Sequence, residues 1–343
     1  MWQGIIGHDD VVERFRQTLA AGRLASTYLF VGPPGVGKRR FALELAHALL
    51  CTEAAEAGLQ PCGKCESCRM FAAGNHPDLD VVGLPADKAT LPIELFIGDR
   101  DHRNQAGLCH RLGLRPFFGS RKVAIVDDAD HFGIPSANCL LKTLEEPPPS
   151  ALLILIGTSP SRQLPTIRSR SQVVRFRTLP CETVAEILVE SGAVADRNLA
   201  RRVAQFSEGS VERAVQLADP ALWSFRDQLF SSLNAARLDS VRLTRAVQSF
   251  VDEAGKESSD RRDRLRIVVG FALEFYRVRL RESPESDRET GRAVQALDVC
   301  LTALEYIDRN ANLGLVIQNW CEELAGNAGH GAVGSHRPVA FTH

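Results

Sequence analysis

The sequence predicts an α/β domain with a parallel sheet, followed by two helical regions. Short apolar runs alternate with helical segments up to about residue 180, and one of these runs leads into a glycine-rich loop that ends in a lysine. Beyond Pro180 the strand signals disappear, and apolar residues recur at helical spacing. Alternation of strands and helices favours a parallel sheet with helices on both faces.

The composition is that of an ordinary globular protein of two or three domains. The 343 residues are 44% hydrophobic and 24% charged, with a formal net charge of -1. Such a balance gives no overall basic field and argues against autonomous nucleic-acid binding. No apolar run approaches the roughly 18 to 20 residues that span a bilayer, and the amino-terminal residues lack a signal-peptide pattern. We therefore expect a cytoplasmic protein without a membrane partner.

The first predicted strand, TYLFVG at 27 to 32, follows a predicted helix and runs into the loop GPPGVGKRR. Gly32, Gly35, Gly37 and Lys38 fit the phosphate-binding pattern GxxxxGK[ST], in which backbone N–H groups hold phosphate oxygens and the lysine reaches the β and γ phosphates. The helical segment RRFALELAHALL comes next, which is the context that such a loop requires.

The position after Lys38 does not fit the pattern. Arg39 stands where a serine or threonine would be a ligand of Mg²⁺, and a guanidinium cannot coordinate a cation. The loop is therefore either a phosphate cradle that has lost its magnesium or a structural relic that binds nothing. ATP or ADP remains a candidate ligand, whereas we do not expect Mg²⁺ to bind well.

A second apolar run, KVAIVDDAD at 122 to 130, ends in acidic residues. Asp127 ends the predicted strand and suits a Walker-B aspartate, which holds Mg²⁺ through water. Asp128 stands where hydrolytic relatives carry a glutamate, and its side chain is one methylene shorter. A misplacement of about 1 Å can cost about 100-fold in rate. The alternative is that both carboxylates are solvated residues at a strand end.

Four of the nine cysteines lie within eighteen residues. Cys51, Cys62, Cys65 and Cys68 predict a closed tetrahedral zinc site, which would be structural and would staple an insertion over about 51 to 76 onto the preceding helix. An iron–sulfur cluster and uncoordinated thiols are the alternatives. The odd total without a secretion signal argues against a disulfide framework.

Three arginines of interest follow the third apolar run, ALLILIGTS at 151 to 159. TIRSRSQVVRF at 166 to 176 contains Arg168 and Arg170, which suit either an arginine finger for a neighbouring nucleotide or a solvated surface pair. EGSVERAVQL places Arg213 in the first turns of a predicted helix, from which it could reach a phosphate or face solvent.

The predicted boundaries follow from these patterns. We expect the α/β domain over 1–178, a small helical domain over 179–221, a helical bundle over 222–327, and a glycine-rich, disordered tail over 328–343.

Several motifs in order resemble the clamp-loader branch of the AAA+ family, most closely the delta-prime subunits of the bacterial DNA polymerase III holoenzyme. They are YLFVGPPGVGK, CGKCESC followed by GNHPDL, PSANCLLKTLEEPP, TIRSRS and RNANLGLVIQNWCEEL. The resemblance implies a RecA-like P-loop ATPase domain with a zinc-binding insertion, a helical lid domain, and an all-α collar bundle that holds a five-membered ring together.

The resemblance also implies roles for single residues. Arg170 would be the trans-acting finger of a Ser-Arg-Cys motif, which reads Ser-Arg-Ser here because Ser171 replaces the cysteine. Thr158 would be the sensor-1 residue, and Arg213 the sensor-2 residue. In this family gamma/tau is the motor, and delta-prime need not hydrolyse ATP. Arg39 and Asp128 weaken hydrolysis while Arg170 is retained, so the sequence favours the non-motor subunit.

The expected function is therefore to help load the sliding clamp on primed DNA in chromosomal replication. The expected partners are the gamma/tau and delta subunits in a hetero-pentameric ring, with the clamp and the primer-template DNA reached through the complex. Membership of the DNA-directed DNA polymerase holoenzyme follows from this complex. Two rivals remain: an active gamma/tau-like ATPase, and a zinc-stabilised scaffold or DNA-binding module unrelated to replication.

Overall fold

The computed structural model describes residues 2–85, 87–235, 237–255, 257–282 and 287–329. The chain divides into two compact units, Met1–Ala218 and Asp219–His343. The three-way division expected from the sequence remains a prediction, because the helical segment after residue 178 belongs to the first of these units.

The first unit is built on a parallel sheet, as predicted, and this sheet has five strands. Its strands are β1 Thr27–Val31, β2 Leu79–Val82, β3 Lys122–Val126, β4 Ala151–Gly157 and β5 Gln172–Arg175. They lie in the order β2-β3-β4-β1-β5, and every neighbouring pair is parallel. The three central strands are buried along their whole length, which explains their unbroken apolar runs. The edge strand β2 has four residues, of which three are partly buried and Val81 is exposed, and the sequence does not predict it as a strand.

Ten helices of the first unit cover this sheet or follow it. They are α1 Asp9–Ala20, α2 Lys38–Leu50, α3 Glu66–Ala72, α4 Glu94–Ile97, α5 Gly107–Gly113, α6 Ile134–Glu145, α7 Pro165–Ser169, α8 Cys181–Glu190, α9 Arg197–Phe206 and α10 Val211–Gln216. On one face Phe15 of α1 and Phe41 of α2 pack on Phe30 of β1. On the other, Leu140 of α6 and Ile167 of α7 are buried in a second core.

The second unit is helical. Its helices are α11 Pro220–Leu233, α12 Ser240–Asp252, α13 Ser258–Glu282, α14 Asp287–Asp308 and α15 Leu313–Gly329. Phe225 of α11 stacks on Phe250 of α12 with ring centroids 4.2 Å apart. Of the predicted disordered tail, positions 328 and 329 belong to α15, and 330–343 lie outside the described residues. Among the helices described, none combines the length and the apolar character needed to cross a membrane.

Candidate functional site

The glycine-rich loop lies between the carboxyl end of β1 and the start of α2. Gly35 and Gly37 have φ angles of 72° and 97°, a region that favours glycine, and Gly37 is the N-cap of α2. A Cβ on Gly35 would clash with the hydroxyl oxygen of Ser210. The backbone therefore turns as a phosphate cradle does, with the helix amino terminus at its end.

Lys38 is buried and binds the loop itself. Its Nζ donates hydrogen bonds to the carbonyl oxygens of Gly32 at 2.7 Å and Pro33 at 2.6 Å. Burial lowers the pKa of this amine, while the carboxylates of Asp127, Asp130 and Glu212 act in the opposite direction. In this structure the ammonium that would reach a phosphate is engaged by backbone carbonyls.

Arg39 lies against Asp127, the predicted Walker-B residue. The Nε of Arg39 is 3.4 Å from Oδ2 of Asp127, whose side chain is 22% exposed. Burial raises the pKa of the Asp127 carboxyl, and the neighbouring Asp128 adds to this, whereas Arg39 and Lys38 lower it. The guanidinium thus stands beside the carboxylate that a magnesium ion would need.

Asp128 contacts the segment that follows β2. Its φ angle is 56°, and its Oδ2 accepts a hydrogen bond from the backbone N–H of Leu84 at 3.3 Å. Asp127 is therefore the carboxylate that pairs with a residue of the loop segment, Arg39, whereas Asp128 binds the backbone of Leu84.

A hydrogen-bond network at the end of β4 centres on Asp130, which the sequence analysis missed. Thr158 donates to Oδ2 of Asp130 through its hydroxyl at 2.6 Å and its N–H at 2.8 Å, and Gln163 Nε2 donates to Oδ1 at 2.6 Å. The carbonyl of Thr158 accepts from the N–H of Gly32 at 3.1 Å. The third carboxylate of the run VDDAD was the available signal for this residue.

Residues far away in the sequence also hold the loop carbonyls. Nε2 of the buried His8 lies 2.8 Å from the carbonyl oxygen of Val36, to which it donates. The N–H of Val211, at the start of α10, donates to the carbonyl of Gly35 at 2.9 Å. The amino terminus of α10 therefore contacts the glycine-rich loop directly. No local sequence pattern predicts this contact.

Arg213, the predicted sensor-2 residue, also lies in α10 but is paired with a carboxylate and not with the loop. Its Nη1 is 3.1 Å from Oε2 of Glu208. The predicted sensor-2 guanidinium is therefore engaged within the helical segment, and the residues packed nearest to Gly35 are Ser210 and Glu212.

Arg170 lies at the opposite end of the sheet from the loop. It precedes β5, and Gln172 of β5 is in register with Tyr28 of β1. Gly32 lies four residue steps beyond Tyr28, which is about 13 Å along a strand. Nη2 of Arg170 is 2.9 Å from Oε1 of Glu145, and the arginine is exposed. Within the described part of the chain, Arg170 therefore lies too far from the loop to contact it.

The four clustered cysteines could bind a metal ion. The sulfur atoms of Cys51, Cys62, Cys65 and Cys68 all lie within 4.8 Å of one another, and the Cys51–Cys65 and Cys62–Cys68 pairs are 4.0 Å apart. Four ligands at about 2.3 Å from a tetrahedral zinc have their sulfurs about 3.8 Å apart, so the set fits after a small contraction.

Backbone N–H groups point at these sulfurs, as suits thiolates. The N–H of Cys62 donates to Cys51 Sγ at 3.3 Å, that of Cys65 to Cys62 Sγ at 3.3 Å, and that of Cys68 to Cys65 Sγ at 3.4 Å. Burial raises the pKa of the Cys65 thiol, but hydrogen bonds from Cys68 and Thr52 outweigh it and bring the pKa to about 6.

A buried histidine joins this cysteine module to the sheet. Ser67 Oγ donates to the carbonyl of Leu50 at 2.6 Å and accepts from His76 Nε2 at 2.9 Å, while His76 Nδ1 accepts from the N–H of Asp78 at 3.0 Å. Burial lowers the pKa of His76, and both of its nitrogens have partners that suit the neutral ring. The serine and histidine are structural, because the third group is a backbone N–H rather than a carboxylate.

The carboxylate of Asp78 is the buried anchor of the next segment. It accepts hydrogen bonds from the N–H groups of Phe117 and Phe118, both at 2.7 Å, and its Oδ1 is 3.1 Å from Nζ of Lys122. The side chains of Asp78 and Lys122 are 0% and 7% exposed. The GNHPDL motif is therefore tied to the first residue of β3 by a buried ion pair.

In the comparisons with known proteins, this chain matches subunits of DNA polymerase III. The profile of the family described as DNA polymerase III, delta subunit, matches residues 7–180. DNA polymerase III subunit delta' of Pseudomonas aeruginosa is 41% identical over 146 residues, 43% of this chain and 41% of that protein. Subunit delta' of Bacillus subtilis is 32% identical over 211 residues, 61% of this chain and 58% of that protein.

Other relatives match a larger part of the chain. Subunit gamma/tau of Mycobacterium tuberculosis is 32% identical over 252 residues, 72% of this chain and 42% of that protein. The matches thus span between 41% and 58% of the length of these three relatives. Among solved structures, a gamma subunit-related protein of Thermotoga maritima has a TM-score of 0.46 and 19% identity over 92% of this chain and 99% of that one.

The resemblance predicted from the motifs is thereby confirmed. The profile match alone spans just over half of the chain and includes the glycine-rich loop, the four cysteines and Arg170. The chain belongs to the DNA polymerase III delta-subunit family.

Proposed function

We propose that this chain is a non-motor clamp-loader subunit of the delta-prime type. It helps to load the sliding clamp on primed DNA, and it donates Arg170 to the ATP site of a neighbouring gamma/tau subunit. Gamma/tau and delta are its partners in the ring, and the clamp and DNA are reached through the complex. The proposal includes the AAA+ domain over 1–178, the lid over 179–221 and the collar over 222–327.

The contact between Arg39 and Asp127 is the observation that carries the proposal. Magnesium needs oxygen ligands in near-octahedral geometry, and P-loop proteins provide one from a hydroxyl and another through the Walker-B aspartate. Here the hydroxyl is absent, and the aspartate is within 3.4 Å of a guanidinium. Mg²⁺ would have to approach a positive charge in order to reach Asp127, so hydrolysis at this site is disfavoured.

The helical segment after the sheet supports the same conclusion. Ser210 and Glu212 pack on Gly35, and the carboxylate of Glu212 is close enough to influence the pKa of Lys38. An acidic residue beside a phosphate cradle opposes the binding of a polyanion. Nucleotide entry would require this segment to move and Lys38 to release the carbonyls of Gly32 and Pro33.

The alternative function is an active gamma/tau-like ATPase. The retained glycines, Lys38 and Asp127, together with the hydrogen bond between Thr158 and Asp130, favour it. In that case another group would have to provide the missing magnesium ligand, and Arg39 would have to leave Asp127.

Calorimetric titration of the purified chain with ATP, with and without Mg²⁺, separates the two functions. We expect any affinity for ATP to be insensitive to Mg²⁺ and hydrolysis to equal that of Lys38→Ala. The variant Arg39→Thr restores the hydroxyl and should gain a Mg²⁺-dependent affinity. Hydrolysis by the unaltered chain well above the Lys38→Ala level would overturn the non-motor assignment, and failure to associate with gamma/tau in a pull-down would favour an unrelated scaffold.

We propose that the cysteine site holds a structural Zn²⁺ over about 51 to 76. Elemental analysis of the purified chain should give one zinc per chain, and Cys65→Ser should lose it, because three thiolates leave the tetrahedron open. Hydrogen exchange in residues 51–76 should then accelerate. Cys181→Ser, which removes a thiol outside the cluster, is the matched control. Iron in place of zinc, or no metal in freshly purified protein, would contradict the assignment.

A further inference from the structure

The four clustered cysteines belong to two separate segments of the chain. Cys51 is the C-cap of α2, whereas the other three lie in α3 and shortly before it. Residues 52–61 connect the two segments. Bringing the ends of such a connection together costs conformational entropy. A metal site built from both segments therefore binds more tightly when other contacts already hold them side by side.

A buried hydroxyl joins these segments without involving a sulfur atom. Ser67 lies in the first turn of α3, between Cys65 and Cys68, and is 1% exposed. Its Oγ donates a hydrogen bond to the carbonyl oxygen of Leu50 at 2.6 Å. Because Leu50 directly precedes Cys51, this contact holds the end of α2 that carries one cysteine beside the turn of α3 that carries two others.

His76 determines how this hydroxyl is used. Its Nδ1 accepts a hydrogen bond from the N–H of Asp78 at 3.0 Å, which leaves the ring proton on Nε2. Nε2 donates that proton to Oγ of Ser67 at 2.9 Å. Since a serine hydroxyl has a single proton, a donor on its oxygen directs this proton to the carbonyl of Leu50. His76 is 5% exposed, and its ring contacts that of Phe118 with centroids 5.6 Å apart.

We infer that Ser67 and His76 are positioning residues of the cysteine site. Through the carbonyl of Leu50 they hold Cys51 close to the other three thiols, so that the four sulfurs converge within 4.8 Å. The inference rests on the zinc site proposed above. Outer residues that orient metal ligands typically contribute about 10- to 100-fold to metal affinity.

A role of His76 as a metal ligand fits the structure less well. A ligand would need a free ring nitrogen, and both nitrogens of His76 have hydrogen-bond partners. In the described part of the chain, the side chains that could hold the metal are the four cysteines, and His76 is not in that group.

A role limited to general stability can be tested against a similar serine. Ser136 of α6 is 3% exposed, and its Oγ donates to the carbonyl oxygen of Leu91 at 2.7 Å. Leu91 belongs to the core on the opposite face of the sheet from α2. Ser136 therefore makes the same kind of buried hydrogen bond in the same unit, away from the cysteines.

Zinc affinity of the full chain, measured by competition with a chromophoric chelator, tests the inference. Ser67→Ala and His76→Phe should each bind zinc about 10- to 100-fold more weakly. The double variant should bind no more weakly than the weaker single variant, because the two side chains act through one chain of hydrogen bonds. The matched control Ser136→Ala should bind zinc as the unaltered chain does.

The absorption spectrum of the cobalt-loaded chain separates positioning from ligation. At saturating Co²⁺, Ser67→Ala and His76→Phe should both give the spectrum of the unaltered chain, because all four thiolates remain. A changed spectrum in His76→Phe would mean that the histidine is itself a ligand.

Three results of the affinity measurement would overturn the inference. Unchanged affinity in both Ser67→Ala and His76→Phe would mean that other contacts hold the two segments together. An equal loss in Ser136→Ala would reduce the effect to general destabilisation. Failure of the unaltered chain to bind zinc would refute the metal site and this inference together, whereas the proposed clamp-loader role would stand. Circular dichroism of each variant verifies that it is folded.

Discussion

Replacing Arg170 by alanine should lower ATP turnover at the neighbouring site that we propose it completes by on the order of 10³-fold, the lower end of what an arginine finger contributes. The arginine lies at the amino end of β5, too far from its own loop to act there, and it is exposed. The expected cause is loss of the positive charge that stabilises the phosphoryl oxygens in the transition state. The measurement is single-turnover ATP hydrolysis by the complex reconstituted with gamma/tau and delta.

The control for this experiment is Arg162→Ala. Arg162 is an exposed arginine in the same connection between β4 and β5, so its removal changes the net charge equally without touching the proposed finger. Arg170→Lys should recover little activity, because an ammonium lacks the planar pair of donors. If the complex assembles normally and its ATP turnover is unchanged in Arg170→Ala, Arg170 is not an arginine finger.

The ion pair between Arg170 and Glu145 is compatible with a role of Arg170 at a neighbouring ATP site. Both side chains are substantially exposed, at 36% and 52%, and exposed pairs of this kind contribute about 0 to 1 kcal/mol. A nucleotide phosphate on a neighbouring subunit could therefore displace Glu145 at small cost. In the isolated chain both members of the pair lie at the surface.

The features predicted from the sequence are those that short segments determine. The buried strands, the glycine-rich loop and the spacing of the cysteines follow from local apolar runs, backbone requirements and ligand spacing. The network around Asp130 joins residues 28 and 33 positions apart, and the contact of Val211 with Gly35 spans most of the first unit. Such contacts depend on the packing of distant elements, which no local pattern encodes. Arg39 illustrates both cases. Its departure from the phosphate-binding pattern is visible in the sequence, but its contact with Asp127 depends on the sheet, which brings the end of β3 beside the loop.

Asp78→Ala should destabilise the first unit by about 3 to 5 kcal/mol, the usual cost of removing one partner of a buried ion pair. The change leaves the ammonium of Lys122 at 7% exposure without its carboxylate and deprives the N–H groups of Phe117 and Phe118 of their acceptor. It also loosens the segment that His76 connects to the cysteine module. Denaturant unfolding of the full chain measures the loss, and hydrogen exchange of residues 112–124 locates it.

Two further variants separate the ion pair from a general effect of removing an aspartate. Asp87→Ala removes a carboxylate that is 75% exposed beside Lys88, and it should change stability by no more than about 0.5 kcal/mol. The double variant Asp78→Leu/Lys122→Met removes both charges and should be less destabilised than Asp78→Ala, because no unpaired charge stays buried. A double variant as unstable as the single one would mean that the two backbone N–H bonds, rather than Lys122, are what Asp78 contributes. In either case the GNHPDL motif acts through the interior of the domain, as the anchor that holds the cysteine module and β3 together.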